Sequence, residues 1–260
     1  MVNKPMIGVA AVVLVVGVGV AYYFHGRSTL PTSEPTAVPP QAASSEPPIE
    51  HPLPSSATSS SIPLPSLNDS DPALKDALSA LVGANAMQYV VPEDIVRHVV
   101  VTIDNLPRQK APAAKRPTVA VQGPFLVEGD EVHATLDPKN FARYDPMVNV
   151  VRQLDMQRVA DTYFHFYPLF QSAYQNLGYP NGYFNDRLVQ VIDSLLATPK
   201  PSGPIELTRP NVLYTYADPK LEALPAGEKL LLRMGSDNAA VIKGKLKELR
   251  AIITAAPPKH

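Results

Sequence analysis

Three consecutive residues, Asn185, Asp186 and Arg187, carry the densest chemistry in this chain of 260 residues. A carboxylate beside a guanidinium at the start of a helix can bind a carboxylate ligand or work as an acid/base pair. The same residue types also serve as helix N-terminal groups, with Asn185 or Asp186 accepting backbone N–H bonds and Arg187 paired elsewhere, and this is the expectation. A second group, Asp104, Asn105 and Arg108, falls at the end of a helix. An aspartate there opposes the helix dipole and needs a cationic partner such as Arg143 or Arg187. The expected arrangement is a buried polar network that fixes the packing of several helices. The functional alternative is a cleft lined by Asp104, Arg143, Tyr144, Asp186 and Arg187.

Other chemistries have less support. His98, His133 and His165 stand alone, with no E-x-x-H or H-x-x-x-H spacing, so no metal site is expected. There is no glycine-rich phosphate loop and no G-x-S-x-G elbow, and no cofactor is expected. The absence of cysteine removes disulfides, thiolate ligands and cysteine nucleophiles. A net charge of −1 argues against nucleic acid as a partner. Arg108, Lys110, Lys115 and Arg116 form a short basic group broken by Pro107 and Pro112, which reads as a solvated loop. The aromatic run Tyr163, Phe164, Phe166, Tyr167, Phe170, Tyr174, Tyr179, Tyr183 and Phe184 has the spacing of a helix core rather than of a ligand platform.

The elements that must position these residues are mostly helical. Asp71-Pro72 opens a helix with Leu74, Ala77, Leu78, Leu81 and Val82 on one face, ended by Gly83. Pro92-Glu93 opens a second, stopping near Asn105; its run Val99 to Val101 also suits a strand, but the capping pattern favours helix. Residues 107–123 read as a loop. Gly129-Asp130 joins Phe125–Glu128 to Glu131–Thr135 as a tight hairpin. Asp137-Pro138 and Asp145-Pro146 start two further helices, and Asp155 caps the longest, in which Pro168 predicts a kink. Tyr183 to Leu196 is a helix, Ile205–Leu207 and Val212–Tyr216 a strand pair, and Asp218-Pro219 and Pro225-Ala226 open short helices. Ser236 is the expected cap of the last helix, with Val241, Leu246, Leu249 and Ile252 inward. The fold class is mainly α with a small β component (α+β), and residues 66–256 form one globular domain.

Several strings in this region resemble the bacterial domain-of-unknown-function family 3014 (DUF3014). They are Asp69-Ser-Asp-Pro72, Val101-Thr-Ile-Asp-Asn-Leu-Pro-Arg108, Asn140-Phe-Ala-Arg-Tyr144, Tyr167-Pro-Leu-Phe-Gln-Ser-Ala-Tyr174, Leu177-Gly-Tyr-Pro180, Tyr183-Phe-Asn-Asp-Arg-Leu188, Ala217-Asp-Pro-Lys-Leu-Glu222 and Lys229-Leu-Leu-Leu-Arg-Met-Gly235. The resemblance covers residues 68–253. It implies a proteobacterial envelope protein with one membrane span and a Pro-rich tether, and it brings no activity, ligand or catalytic residue.

The N-terminal sequence agrees with that layout. Residues 6–24, MIGVAAVVLVVGVGVAYYF, are uncharged, and a helix of this length spans roughly 28 Å, close to a bilayer's hydrocarbon thickness. The run is longer than a signal-peptide core and ends in bulky Tyr22, Tyr23, Phe24 and His25 with no A-x-A pattern, so a retained single-pass anchor is expected after a short tail, residues 1–5. Residues 25–65, rich in Pro and Ser, read as a disordered tether. The expected setting is the bacterial inner membrane, with the lipid bilayer contacted through residues 6–24 and the C-terminal domain in the periplasm. The expected function is a non-enzymatic envelope module binding an unidentified protein or cell-wall partner. Two alternatives are an acid/base hydrolase of wall material using Asp104 or Asp186, and a homo-oligomer assembled through Gly17, Ala21 and the domain surface.

Overall fold

The computed structural model describes residues 48–54, 63–130 and 133–255. The expected span 6–24, the tail 1–5 and most of the expected tether lie outside the described residues, as does Glu131 of the expected hairpin. Among the described residues, no helix is long and apolar enough to cross a membrane.

Helix α1 (Asp71–Val82) has Pro72 in its first turn, where the missing N–H costs nothing, and ends at Gly83 with φ 82°. It buries Leu74, Ala77 and Leu78. Helix α2 (Ile95–Asn105) has no side-chain cap from Asp94, which itself sits at φ 51°. The cap comes from α1: the Asp71 carboxylate accepts from the N–H groups of Asp94 at 2.8 Å and Ile95 at 3.0 Å. The valine run lies inside α2, because Ile95, Val96, Val99 and Ile103 recur at helical spacing on a fully buried face. Residues 107–123 form a loop with one 3-10 turn, Ala113–Lys115, and one bridge between Val90 and Thr118.

Strands β1 (Val127–Glu128) and β2 (Ala134–Leu136) form the expected hairpin, with Val127 opposite Leu136. Strands β3 (Glu206–Thr208) and β4 (Thr215–Tyr216) form the second expected pair. The structure joins the two pairs into one antiparallel sheet in the order β1-β2-β3-β4, through Ala134 opposite Leu207. The reason is a shared apolar face: Ala134, Leu136, Ile205, Leu207 and Tyr216 close on Leu232 as a small second core.

Helices α3 (Lys139–Ala142) and α4 (Asp145–Arg152) lead into α5 (Met156–Asn176). Asp155 caps α5, accepting from Gln157 N–H at 2.8 Å and Arg158 N–H at 3.3 Å. Pro168 is exposed, and the helix continues through it. Leu177, just past its end, is 41% exposed, whereas Phe164, Tyr167 and Leu169 are buried, because α5 is covered on more than one face.

Helix α6 (Phe184–Ala197) follows, then α7 (Pro219–Glu222), α8 (Ala226–Arg233) and α9 (Gly235–Ile253). Ser236 is not the cap of α9; its hydroxyl donates to Asp237 instead, at 3.2 Å. Gly235, at φ 80°, lets α9 begin directly after α8 without a capping loop. The buried face of α9 keeps Leu246 and Leu249 of the expected set and takes Ile242 and Ile253 in place of Val241 and Ile252, which are only partly buried. The main core forms where α2 and α9 pack against α5 and α6. The fold is thus mainly helical with a small antiparallel sheet.

Candidate functional site

The last turn of α2 meets the first turn of α6 through Asp104, which is 3% exposed. Arg187 donates from Nε to Asp104 Oδ1 at 3.1 Å and from Nη2 to the Asp104 carbonyl at 2.6 Å. A third donor, Nη1, reaches Gln190 Oε1 at 2.6 Å. Arg108 donates to Asp104 Oδ2 at 2.7 Å and to the Tyr179 hydroxyl at 3.1 Å. Tyr179 also donates to Oδ2, at 3.4 Å, and its ring stacks on Tyr174 at 4.7 Å. One guanidinium therefore covers both the side-chain charge and a backbone carbonyl at the negative end of α2, which answers the dipole problem seen in the sequence.

Asn185 is fully buried. Its Oδ1 accepts from the Tyr163 hydroxyl at 3.0 Å, and its Nδ2 donates to the carbonyls of His51 at 2.8 Å and Ile253 at 3.2 Å. Burial raises the pKa of Tyr163 and of Tyr167, reinforced by neighbouring tyrosine hydroxyls, so both stay protonated. Asp186 is only half-buried, and its carboxylate accepts from the N–H of Glu50 at 3.1 Å and of His51 at 2.7 Å. Leu53 N–H donates to the Tyr183 hydroxyl at 3.1 Å. Residues 48–54, which the sequence places in the Pro/Ser-rich tether 25–65, thus lie against α6, held by groups that take up their backbone donors.

The structure joins Asp104, Arg108 and Arg187 and leaves the other candidates elsewhere. Arg143 donates to the carbonyls of Gln122 at 2.9 Å and Gly123 at 2.7 Å and to Asn140 Oδ1 at 3.1 Å, so it ties down the loop before β1. Tyr144 is 3% exposed in the main core. Asn105 donates back to the Val101 carbonyl at 2.7 Å within α2. The expected cleft of Asp104, Arg143, Tyr144, Asp186 and Arg187 is divided in this way because Arg143 projects from α3 into the 122–126 loop, away from the α2–α6 junction. The aromatic run is core: seven of its rings are buried, with Tyr179 and Tyr183 at the edge. No group of metal-ligating side chains is present among the described residues.

Two features were not read from the sequence. Lys229 is 2% exposed, and its Nζ pairs with Glu222 Oε1 at 2.7 Å. Glu222 Oε2 also accepts from Tyr216 N–H at 3.0 Å, so the pair fastens α8 to β4. Both residues lie in strings that carried the family resemblance, the one available signal. The second feature is a cavity of about 490 Å³ between β2, the 198–204 loop and the start of α9. Its walls include Leu136, Phe141, Pro201, Ile205, Leu232 and Ala240. Lys243 stands at its edge, with Nζ donating to the carbonyls of Leu196 at 3.1 Å and Thr198 at 2.6 Å, where it also neutralises the end of α6. Burial lowers its pKa. Pro-rich loops and the joining of two hairpins across sequence gave no local sign of such a cavity.

A family model described as "Protein of unknown function (DUF3014)" matches residues 95–250. The match runs from the start of α2 to the last turn of α9 and contains the α2–α6 junction and the cavity. Neither a comparison with curated proteins nor one with solved structures returned a match. The match spans more than half of the sequence, and the chain belongs to the DUF3014 family.

Proposed function

We propose that this protein is a membrane-anchored envelope module that binds a partner and does not catalyse a reaction. Residues 6–24 would hold it in the bacterial inner membrane in a single pass, residues 25–47 would act as the free tether, and the domain would work in the periplasm. The observation that carries the reading is the state of the two carboxylates. An acid/base hydrolase needs Asp104 and Asp186 open to substrate, whereas Asp104 is buried and doubly paired and Asp186 is occupied by backbone N–H groups. An open feature among the described residues is the apolar cavity beside Pro199, Pro201 and Pro204, and its lining suits an apolar side chain or segment of a protein partner better than a bare glycan. The test is site-specific photo-crosslinking in the full-length protein in cells, with the reactive residue at Ala240, which is exposed on α9 and lines the cavity. A discrete protein adduct from position 240, absent from the exposed control position Ala251, is expected. Equal or no adducts at both positions would overturn the reading.

A further inference from the structure

The segment 48–54 meets the domain with a completeness that a passing contact lacks. Between residues 50 and 54 only Glu50, His51 and Leu53 own a backbone N–H, since Pro52 and Pro54 have none. Each of the three is held: the first two by the Asp186 carboxylate and the third by the Tyr183 hydroxyl. The His51 carbonyl accepts from Asn185. Leu53 packs against the main core. The flanking prolines restrict φ before docking, which lowers the entropy lost when the segment is ordered. These four hydrogen bonds all engage main chain, and the segment sits in a part of the sequence whose composition alone describes a featureless spacer.

We propose that residues 48–54 and the Tyr183–Asn185–Asp186 edge of α6 form a releasable intramolecular clasp that sets how far the domain reaches. With the clasp closed, the free tether is residues 25–47, with a contour of roughly 70 Å at about 3.1 Å per residue. Opening it lets the tether run on to Pro63, ahead of Leu64, which packs on the main core, and adds on the order of 50 Å at the same rise. The clasp contacts the C-terminal end of α9 at Ile253, whereas the cavity borders its N-terminal end at Gly235 to Lys243. The two sites are therefore separated by a length of helix of about 15 Å or more at 1.5 Å per residue, and opening one leaves the other intact. The meaning for reach rests on the anchored reading above; the clasp itself does not.

The natural chain has no cysteine, so two labels can be placed without background. Ile49 is 54% exposed and Ala251 is exposed, and the Asn185 amide nitrogen bonds the carbonyls of both His51 and Ile253, which places the two label sites near each other. Spin labels at Ile49→Cys and Ala251→Cys in the full-length protein in nanodiscs should give one short, narrow distance. His51→Pro removes the N–H held at 2.7 Å without touching the domain, and Asp186→Ala removes its acceptor. Each should replace the narrow distance by a broad, longer distribution. A broad distribution in the parent, or a narrow one in both variants, would overturn the clasp. A bilayer-to-Ala251 energy-transfer measurement should then show a greater height in His51→Pro; an unchanged height would overturn the control of reach. The Ala240 crosslink should persist in His51→Pro, so loss of the partner and loss of the clasp are read separately.

Discussion

Removing Arg187 should cost far more stability than removing Arg108, although both contact the same carboxylate. Arg187→Ala deletes the bond to Asp104 Oδ1 at 3.1 Å and the bond to the Asp104 carbonyl at 2.6 Å, and both acceptors are sheltered. Bonds from a charged donor contribute about 1.5–3 kcal/mol each when the acceptor is left unsatisfied. Asp104 keeps Arg108 and Tyr179 on Oδ2, so the full 3–5 kcal/mol or so for breaking a buried pair is not reached. The expected loss is about 3 kcal/mol, or about 6–12 °C in melting temperature for a domain of this size. The side chain of Arg108 is 53% exposed, and screening reduces its ion pair to about 1 kcal/mol or less. The assay is urea unfolding followed by circular dichroism on residues 48–260, with a double-mutant cycle in the Asp104→Leu background. There the cost of Arg187→Ala should shrink by more than about 1 kcal/mol, because its main acceptor is gone. Equal losses for the two arginines, or a cost for Arg187→Ala unchanged by Asp104→Leu, would refute the reasoning.

Three further variants probe other parts of the fold. His98 is buried with Nδ1 lacking a hydrogen-bond partner among the described residues, and burial, then Lys115, hold its pKa below the ordinary 6.5; burial does the same at His165. The unfolded chain binds these protons more readily, so stability is fully present above pH 6.5 and is lost as the pH falls from there through the folded-state values; His98→Gln should flatten that slope in melting measured across this range. At Gly235, φ is 80° and a Cβ would stand 2.6 Å from the Phe141 ring, so Gly235→Ala should cost about 2–4 kcal/mol through strain and overpacking. Gly244, in the same helix, has nothing within 4 Å of that position, and Gly244→Ala should stabilise by about 0.5–1 kcal/mol in the same unfolding assay.

What could be read from the sequence was whatever is decided within a few residues. The Asp-Pro pairs at 71–72, 145–146 and 218–219 each open a helix, because a fixed φ and a first-turn carboxylate act locally. The β1–β2 hairpin and the Asp155 cap are legible for the same reason. The features missed all depend on partners far along the chain. The cap of α2 comes from Asp71 in another helix, and the β2–β3 pairing joins residues 134–136 to 206–208. Proline-rich residues 48–54 have no apolar period of their own, and only the acceptors on α6 reveal them as an ordered segment. Of the candidate site, the need of Asp104 for a cationic partner followed from the helix dipole, with Arg143 and Arg187 both candidates, and the structure pairs it with Arg187. The placement of Arg143 did not, since its donors go to the backbone of Gln122 and Gly123, which no side-chain pattern marks.

The run that looked most like catalytic machinery is better understood from the geometry of a helix. Successive residues on an α-helix point about 100° apart, so three adjacent polar side chains at its start address three different neighbours. Asn185 faces inward to Tyr163 and Ile253 and also reaches the His51 carbonyl, Asp186 takes the N–H groups of the 48–54 segment, and Arg187 faces the end of α2. Acid/base work asks for the opposite, groups converging on one point. The first turn of α6 has no capping side chain of its own: Phe184 N–H donates to Gln171 Oε1 at 2.8 Å and Asn185 N–H to the Tyr167 hydroxyl at 3.4 Å, both on α5. The positive end of α6 is thus neutralised by α5 and by Asp186, while Arg187 neutralises the negative end of α2. Because every polar group in this turn already answers a structural charge or an orphaned backbone group, adding a ligand would mean displacing one of them. Among the described residues that meet this turn, only the 48–54 segment lies outside the helices, and so it is the occupant that can leave while the helices stay packed.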